Sequence, residues 1–255
     1  MRRLIINADD FGFTRDVNEG IVYAHREGVL TSTTLMANGD AFDDAVRLAK
    51  QTPTLDIGAH LVLVQGNSLL DGRPLPETPR ALLAVLARGG LNAYAELKAQ
   101  IEKIRTAGLP ISHFDSHKHT HLVPSVFRAV VKLAHEFGVP WVRLPLDTTV
   151  RLGKPLTAAG NQYYRRLTRG ANVKFTDHFL GFHLTGSLSE ATMAEALNKL
   201  EEGVTEFMCH PGYLGDELKK SRTRLKESRL IELEALTSPR IRQIIAEQEI
   251  QLGPF

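Results

Sequence analysis

The side chains best suited to chemistry are carboxylates and imidazoles in four short segments. Asp9 and Asp10 lie in Asn7-Ala8-Asp9-Asp10-Phe11-Gly12, and His60 follows Gly58-Ala59. Four of the ten histidines, His113, His117, His119 and His121, fall within nine residues, and His210 lies in Cys209-His210-Pro211-Gly212-Tyr213. Two adjacent carboxylates repel and need a cation or a shared proton. Crowded histidines are unfavourable if they charge together, whereas neutral imidazoles bind a divalent cation well and can be oriented by a carboxylate such as Asp115. One Asp with two His, and positions left open to water, is a catalytic metal arrangement. Such a centre polarises a carbonyl and brings the pKa of its water toward about 7, which is hydrolytic chemistry. A second carboxylate could take the water proton and a histidine across the site could protonate a departing amine; Asp9 and His210 fit those jobs. Spacing leaves the ligand within the histidine cluster open. An extended backbone aims residues 117, 119 and 121 the same way, and a helical turn pairs 117 with 121.

These residues need elements that bring them together. Leu4 to Ala8 is a short apolar run, the pattern of a parallel strand covered on both faces, and the carboxylates follow it directly. Thr14 then caps a helix carrying Val17, Ile21 and Ala24 that stops at Gly28. The unit repeats: a strand at Ser32 to Ala37, a helix capped by Asp40, a strand at Asp56 to Val64. Gly58, on the same strand face as His60, is expected to leave room above the imidazole. A long loop at 65 to 79 and helices at 80 to 88 and 92 to 107 precede a fourth strand at Ile111 to Asp115. Pro124 opens a buried helix ending at Gly138, and Trp141 to Leu144 is a fifth strand. The span 145 to 172 is irregular, and with the 65 to 79 loop it is expected to shape a pocket. Order returns at Val173 to Phe175, in a helix capped by Ser189, in a strand at Val204 to Cys209, in helices near Thr223 to Leu236 and from Pro239, and in a short strand at Ile250 to Leu252. Alternating strands and helices predict a parallel α/β sheet curled into a barrel-like, TIM-barrel-variant fold of seven or eight units, a single domain over residues 1–255. In such barrels the carboxyl ends of the strands carry the site. Arg143 and Asp177-His178 also lie at strand ends, where an ion pair or a cap is the ordinary reading. No Gly-rich phosphate loop follows the first strand, which removes support for a nucleotide-binding sheet.

Bulk properties narrow the partner. The 255 residues are 43% hydrophobic and 24% charged with a formal net charge of +2, too small an excess for a nucleic-acid footprint. A small-molecule substrate is therefore expected. Cys209 is the single cysteine, so no intrachain disulfide or Cys-based zinc cluster can form, which fits a cytoplasmic setting. The run after Met1-Arg2-Arg3 is too short for a signal segment, and no stretch is apolar for the roughly 18 residues a membrane span needs.

Taken in order, Asn7 to Gly12, Gly58-Ala59-His60-Leu61, Asp115-Ser116-His117-Lys118-His119-Thr120-His121 and His210-Pro211-Gly212-Tyr213 resemble the motifs of the YdjC-like (ChbG-type) carbohydrate deacetylases. The resemblance spans most of the chain. It implies a (β/α) barrel, removal of an N-acetyl group from an amino sugar, a divalent metal usually given as magnesium, with zinc or another transition metal as the alternative, and a homodimer. It also implies Asp10, His60 and His117 as metal ligands, Asp9 as general base and His210 as general acid. Lys118 stands where the family frequently has another His, which removes that position as a ligand. The Cys209-His210-Pro211-Gly212-Tyr213 and Ala59-His60-Leu61-Val62-Leu63 forms are similar to the branch linked to hopanoid lipids. Competing readings are an Asp-His-His iron oxygenase, a catalytically silent sugar-binding protein and a two-carboxylate glycosidase, the last of which would leave the histidines without a job.

Overall fold

The computed structural model describes residues 1–144, 154–168 and 172–255. Strand β1 (Arg2–Phe11) is followed by α1 (Arg15–Glu27), β2 (Ser32–Leu35), α2 (Phe42–Lys50), β3 (Asp56–Leu61), α3 (Pro79–Ala87), α4 (Ala93–Thr106) and β4 (His113–Ser116). A 3-10 turn at His117–Leu122 leads into α5 (Pro124–Phe137) and β5 (Trp141–Val142). The remainder is α6 (Lys154–Leu167), β6 (His178–Leu180), α7 (Glu190–Asn198), β7 (Gly203–Cys209), α8 (Asp216–Lys220), α9 (Glu227–Thr237), α10 (Pro239–Glu247) and β8 (Gln251–Leu252).

The strands pair in parallel in the order β5-β4-β3-β2-β1-β7-β6, with β8 beside the start of β1. Lys174, just before edge strand β6, bridges Trp141 on the opposite edge strand β5. The Val142 N–H donates to the Lys174 carbonyl at 3.1 Å, and the Lys174 N–H donates to Pro140 at 2.7 Å. The two edges thus approach each other, and the sheet curls into the expected α/β barrel-like form. Helices cover its outside with apolar stripes such as Val17, Ile21 and Ala24 of α1 and Val126, Phe127, Val130 and Leu133 of α5, all buried. Burying each such side chain stabilises the fold by about 1.5–3 kcal/mol relative to leaving it exposed.

Along a strand, alternate residues face the same side, and the inward set forms two polar layers. The lower one joins Asn7, Gly58 and His113: the His113 Nε2 and Asn7 Oδ1 are 3.0 Å apart, and the imidazole fills the space beside the Gly58 Cα. The upper one, one step nearer the carboxyl ends, holds Asp9, His60, Asp115 and Arg143, with Thr34 bonding Asp115 and Arg143 reaching back to Glu206, whose register partner on β1 is Ile5. The room left by Gly58 therefore belongs to His113, not to a space above His60.

Several elements differ from expectation. The first strand runs on to Phe11, so Asp9 and Asp10 sit within its last residues. Asp40 does not cap α2, because Ala41 is the N-cap and its N–H is held by the Gly12 carbonyl at 3.0 Å. Val173 to Phe175 contributes only the Lys174 bridge, since Phe175 packs against Phe127 and under Arg165 instead, and the strand falls at His178–Leu180. Helix α8 had no counterpart in the sequence reading. Of the irregular span 145 to 172, residues 145–153 and 169–171 lie outside the described residues. Among the described residues no helix is long and apolar enough to cross a membrane.

A Cβ at Gly58 would lie 2.5 Å from His113 Cε1, inside a packed layer. Gly58→Ala should destabilise the fold by about 1–3 kcal/mol, read as a lowered thermal midpoint. An unchanged midpoint would mean that the layer has slack this packing denies.

Candidate metal centre

Strand alternation would send Asp9 and Asp10 to opposite faces. The register of β1 against β2 shifts between Ala8 and Phe11, and Asp10 adopts a left-handed backbone with φ 69°. A bulge of this kind re-aims a side chain, and both carboxylates end up lining one cavity of about 520 Å³ together with His60, His117 and His210. The five residues singled out from the sequence thus share one chamber at the carboxyl ends of the strands.

Three atoms in it converge. Asp10 Oδ1 lies 3.4 Å from His60 Nε2 and 3.2 Å from His117 Nδ1, and the two ring nitrogens are 3.3 Å apart. Donors held about 2.0–2.1 Å from one ion necessarily lie about 3.0–3.4 Å from one another, so this triangle has the size of a coordination face. Among the described residues Asp10 Oδ1 is buried without a hydrogen-bond partner, a state that is unfavourable unless something else satisfies it. One carboxylate and two imidazoles therefore fit a divalent cation in donor chemistry and spacing. A second group, Asp9, His60 and Asp115, also falls within ligand spacing, but Arg143 already fills the gap between its two carboxylates.

Each converging residue is oriented from behind. His60 Nδ1 is 2.8 Å from Asp115 Oδ1, and Thr34 Oγ1 donates to Asp115 Oδ2 at 3.0 Å. With its Nδ1–H given to a carboxylate, His60 directs Nε2 at the triangle, where a cation would take the place of the proton that Asp115 and Asp10 otherwise favour there. His117 Nε2 faces Gln65 Oε1 at 3.2 Å, which leaves Nδ1 for the triangle. Asp10 Oδ2 accepts from Arg229 at 2.5 Å.

Asp9 is held differently. Arg143 donates to both of its oxygens at 2.8 and 2.7 Å and Asn7 adds a third bond at 3.0 Å. The same fully buried guanidinium reaches Asp115 Oδ2 at 2.8 Å and Glu206 Oε1 at 2.7 Å. Burial opposes the ionisation of Asp9, but Arg143 outweighs it and holds the carboxyl well below the usual range. Burial likewise opposes Asp10, and Arg229 with the two imidazoles drives it well below that range. Glu206 shares its arginine with two other carboxylates, and burial pushes it up to about 7. Burial disfavours the His60 cation, yet Asp115 and Asp10 push it up to about 10. Burial pushes His210 down to about 4 despite the attraction of Asp9 and Asp10. Its Nδ1 is buried without a partner among the described residues, and its backbone N–H is fixed by Glu232 Oε2 at 2.5 Å.

The histidine cluster resolves into separate jobs. Lys118 and His119 both have φ 51°, so the chain after β4 is neither extended nor a regular helix. His117 alone joins the triangle. His121 turns back into the protein between Ser116 Oγ and the Arg143 carbonyl, and His119 lines the cavity against Phe182 at 5.1 Å between centroids. Asp177 lies outside the cavity, where it accepts the Val204 N–H at 2.9 Å, and His178 bonds the Glu202 carbonyl. Arg143 is an ion-pair residue as its position suggested, but it holds three partners. Glu206, Arg229, Glu232, Thr34 and Gln65 were not picked out from the sequence. Only Glu206 carried a signal, a carboxylate inside the otherwise apolar run of β7. The 65 to 79 loop also contributes Gly66, Asn67, Pro74 and Glu77 to an adjoining cavity of about 610 Å³, which shares Gln65 and His117 with the first.

A parallel, curled sheet with an Asp-His-His triangle at its carboxyl end defines a barrel-like protein with a candidate metal centre. The YdjC-like protein family model matches residues 3–247, and the chain belongs to that family. A carbohydrate deacetylase of Brevibacillus brevis is 38% identical, with 99% of this chain and 98% of the relative covered. One of Geobacillus stearothermophilus is 37% identical over 98% and 96%. The crystal structure of a protein of Enterococcus faecalis, described as a cellobiose-phosphate cleavage protein, superposes with a TM-score of 0.82 at 28% identity, covering 99% of this chain and 97% of that one.

Removing Arg143 leaves three buried carboxylates facing one another, so Arg143→Leu should lose about 3–5 kcal/mol of stability in urea unfolding. Glu206 supplies a pH test. Its folded-state proton is retained up to about 7, whereas the unfolded chain releases it near 4.5, so its contribution to stability is lost as pH rises through that window. The stability of Glu206→Gln relative to the unsubstituted protein should therefore climb from pH 4.5 to 7; a difference that stays level would overturn the assignment.

Proposed function

We propose that the whole chain, residues 1–255, is one carbohydrate N-deacetylase domain that hydrolyses the acetamide of an N-acetylated amino sugar, an oligosaccharide or a glycolipid. The observation that carries the reading is the triangle of Asp10 Oδ1, His60 Nε2 and His117 Nδ1 opening onto a chamber that also contains Asp9 and His210. Relatives named carbohydrate deacetylase, aligned over nearly the whole length, support the substrate class. In this reading Asp10, His60 and His117 hold a divalent cation, which when bound polarises the acetamide carbonyl and acidifies the attacking water. Magnesium is the ion that the family resemblance implies, while two imidazoles and one carboxylate also suit zinc. A homodimer and a cytoplasmic setting belong to the same proposal.

The chain's own residues supply the proton handling. Asp9, kept ionised and immobile by Arg143, is the base through Oδ2, which accepts from Arg143 alone and retains a lone pair, whereas Oδ1 accepts from both Arg143 and Asn7. His210 is the acid. It is neutral at rest, so the proton that Asp9 takes from water is the one His210 must hand to the departing nitrogen; one proton moved in this way completes the hydrolysis to amine and acetic acid. The two adjoining cavities leave room for sugar on either side of the triangle.

The test is acetate release from N-acetylglucosamine oligomers and N-acetylated glycolipids, with chelator treatment and add-back of magnesium, zinc or manganese. Release should vanish with chelator and return with metal, and Asp9→Asn should bind metal normally while losing at least about 100-fold in kcat. No release from any member of the panel with any metal would remove the proposal in favour of a silent sugar-binding protein. Oxygen-dependent turnover with iron alone would favour an oxygenase.

A further inference from the structure

Helix α9 does more than cover the barrel. Its Arg229 is fully buried, donates from one terminal nitrogen to Asp10 Oδ2 at 2.5 Å and from Nε to the Leu225 carbonyl at 3.2 Å, and lies over the Phe13 ring at 5.8 Å. One turn on, Glu232 fixes the His210 N–H, and the Arg229 carbonyl accepts the Gly212 N–H at 3.2 Å. The same helix therefore grips a residue of the triangle and the segment carrying the candidate acid. The consequence for Asp10 is asymmetric: Oδ2 is consumed by a cation, and Oδ1 alone is left facing the two imidazoles without a bond of its own.

We propose that Arg229 is a positioning residue that presents Asp10 to the metal through a single oxygen and at reduced charge. The inference rests on the metal reading above. A guanidinium on the far oxygen draws electron density from the carboxylate, which weakens it as a donor and leaves a bound cation more electron-poor. It also prevents Asp10 from rotating to grip a cation with both oxygens, keeping a coordination position open for substrate. Arg229 thus trades affinity for Lewis acidity. A role confined to pinning α9 against β1 would make no such trade.

The two roles separate in metal affinity. Calorimetric titration of the metal-stripped protein with zinc alone and with magnesium alone should find Arg229→Met binding at least about tenfold tighter than the unsubstituted protein, because a positive charge has left the site and Oδ2 is free. The pH at which the bound-metal form becomes half-active should rise, and kcat should fall. Arg229→Lys, which keeps the charge but not the planar fork, should restore most of the original affinity, and Arg229→Gln, which removes the charge, carries the test if the Met variant does not fold. An affinity of the folded neutral variant, Met or Gln, that is within twofold of the original or weaker would overturn the inference and leave the metal site standing. Failure of the unsubstituted protein to bind either ion would instead remove the metal reading itself.

Discussion

Arg143 is the interaction on which the rest of the site depends. It reaches Asp9 from β1, Asp115 from β4 and Glu206 from β7 while fully buried beside the end of β5. Taking even one of these charges out of water is unfavourable by several kcal/mol, and the penalty is offset only where partners and hydrogen bonds are complete. One guanidinium, with five donors in a fixed planar fork, meets that demand for the neighbouring strands β1 and β7 and for β4, which lies three strands from β1 in the sheet order. Because it binds three carboxylates, none is fully compensated, which is why Asp9 and Glu206 respond in opposite directions. Asp9 receives two parallel bonds and stays ionised, whereas Glu206 receives one and is pushed up to about 7.

Orientation then passes outward from this hub. Arg143 and Thr34 steady Asp115, and Asp115 sets the tautomer and tilt of His60. Gln65 does the same for His117, and Arg229 for Asp10. The left-handed backbone at Asp10, Gln65, Lys118 and His119 lies in a sparsely populated region for these residue types. All four residues border the same chamber, so local strain is concentrated where side chains must be aimed rather than merely packed.

The sequence was informative where the cause was local. The apolar run before Asp9, the helix stops at Gly28 and Gly138, and three histidines just past one strand are features of neighbouring residues, and each was placed near its observed position. The failures have a common origin in contacts between distant segments. Arg229 bonds a residue 219 positions away and Arg143 bonds Asp9 across 134, separations that leave no period in the chain. Gly58 appeared to make room for its neighbour His60, but the ring that fills the space comes from His113 on the adjacent strand. Even the histidine cluster could not be divided from spacing, because two consecutive left-handed residues decide which imidazole faces which way, and neither Lys118 nor His119 advertises that conformation.

The two adjacent carboxylates prove to have separate partners. Asp9 and Asp10 were expected to require a cation or a shared proton, yet each has a guanidinium of its own, Arg143 for one and Arg229 for the other. Their proximity is therefore no longer evidence for a metal. What remains is narrower and stronger: one oxygen of Asp10, buried and unbonded, and two ring nitrogens whose opposite sides are committed to Asp115 and Gln65. The arginines satisfy every other carboxylate oxygen of the pair and leave that one aimed at two imidazoles. Without a cation those imidazoles pair with it at 3.4 and 3.2 Å, and a bound ion would replace their protons in the same triangle.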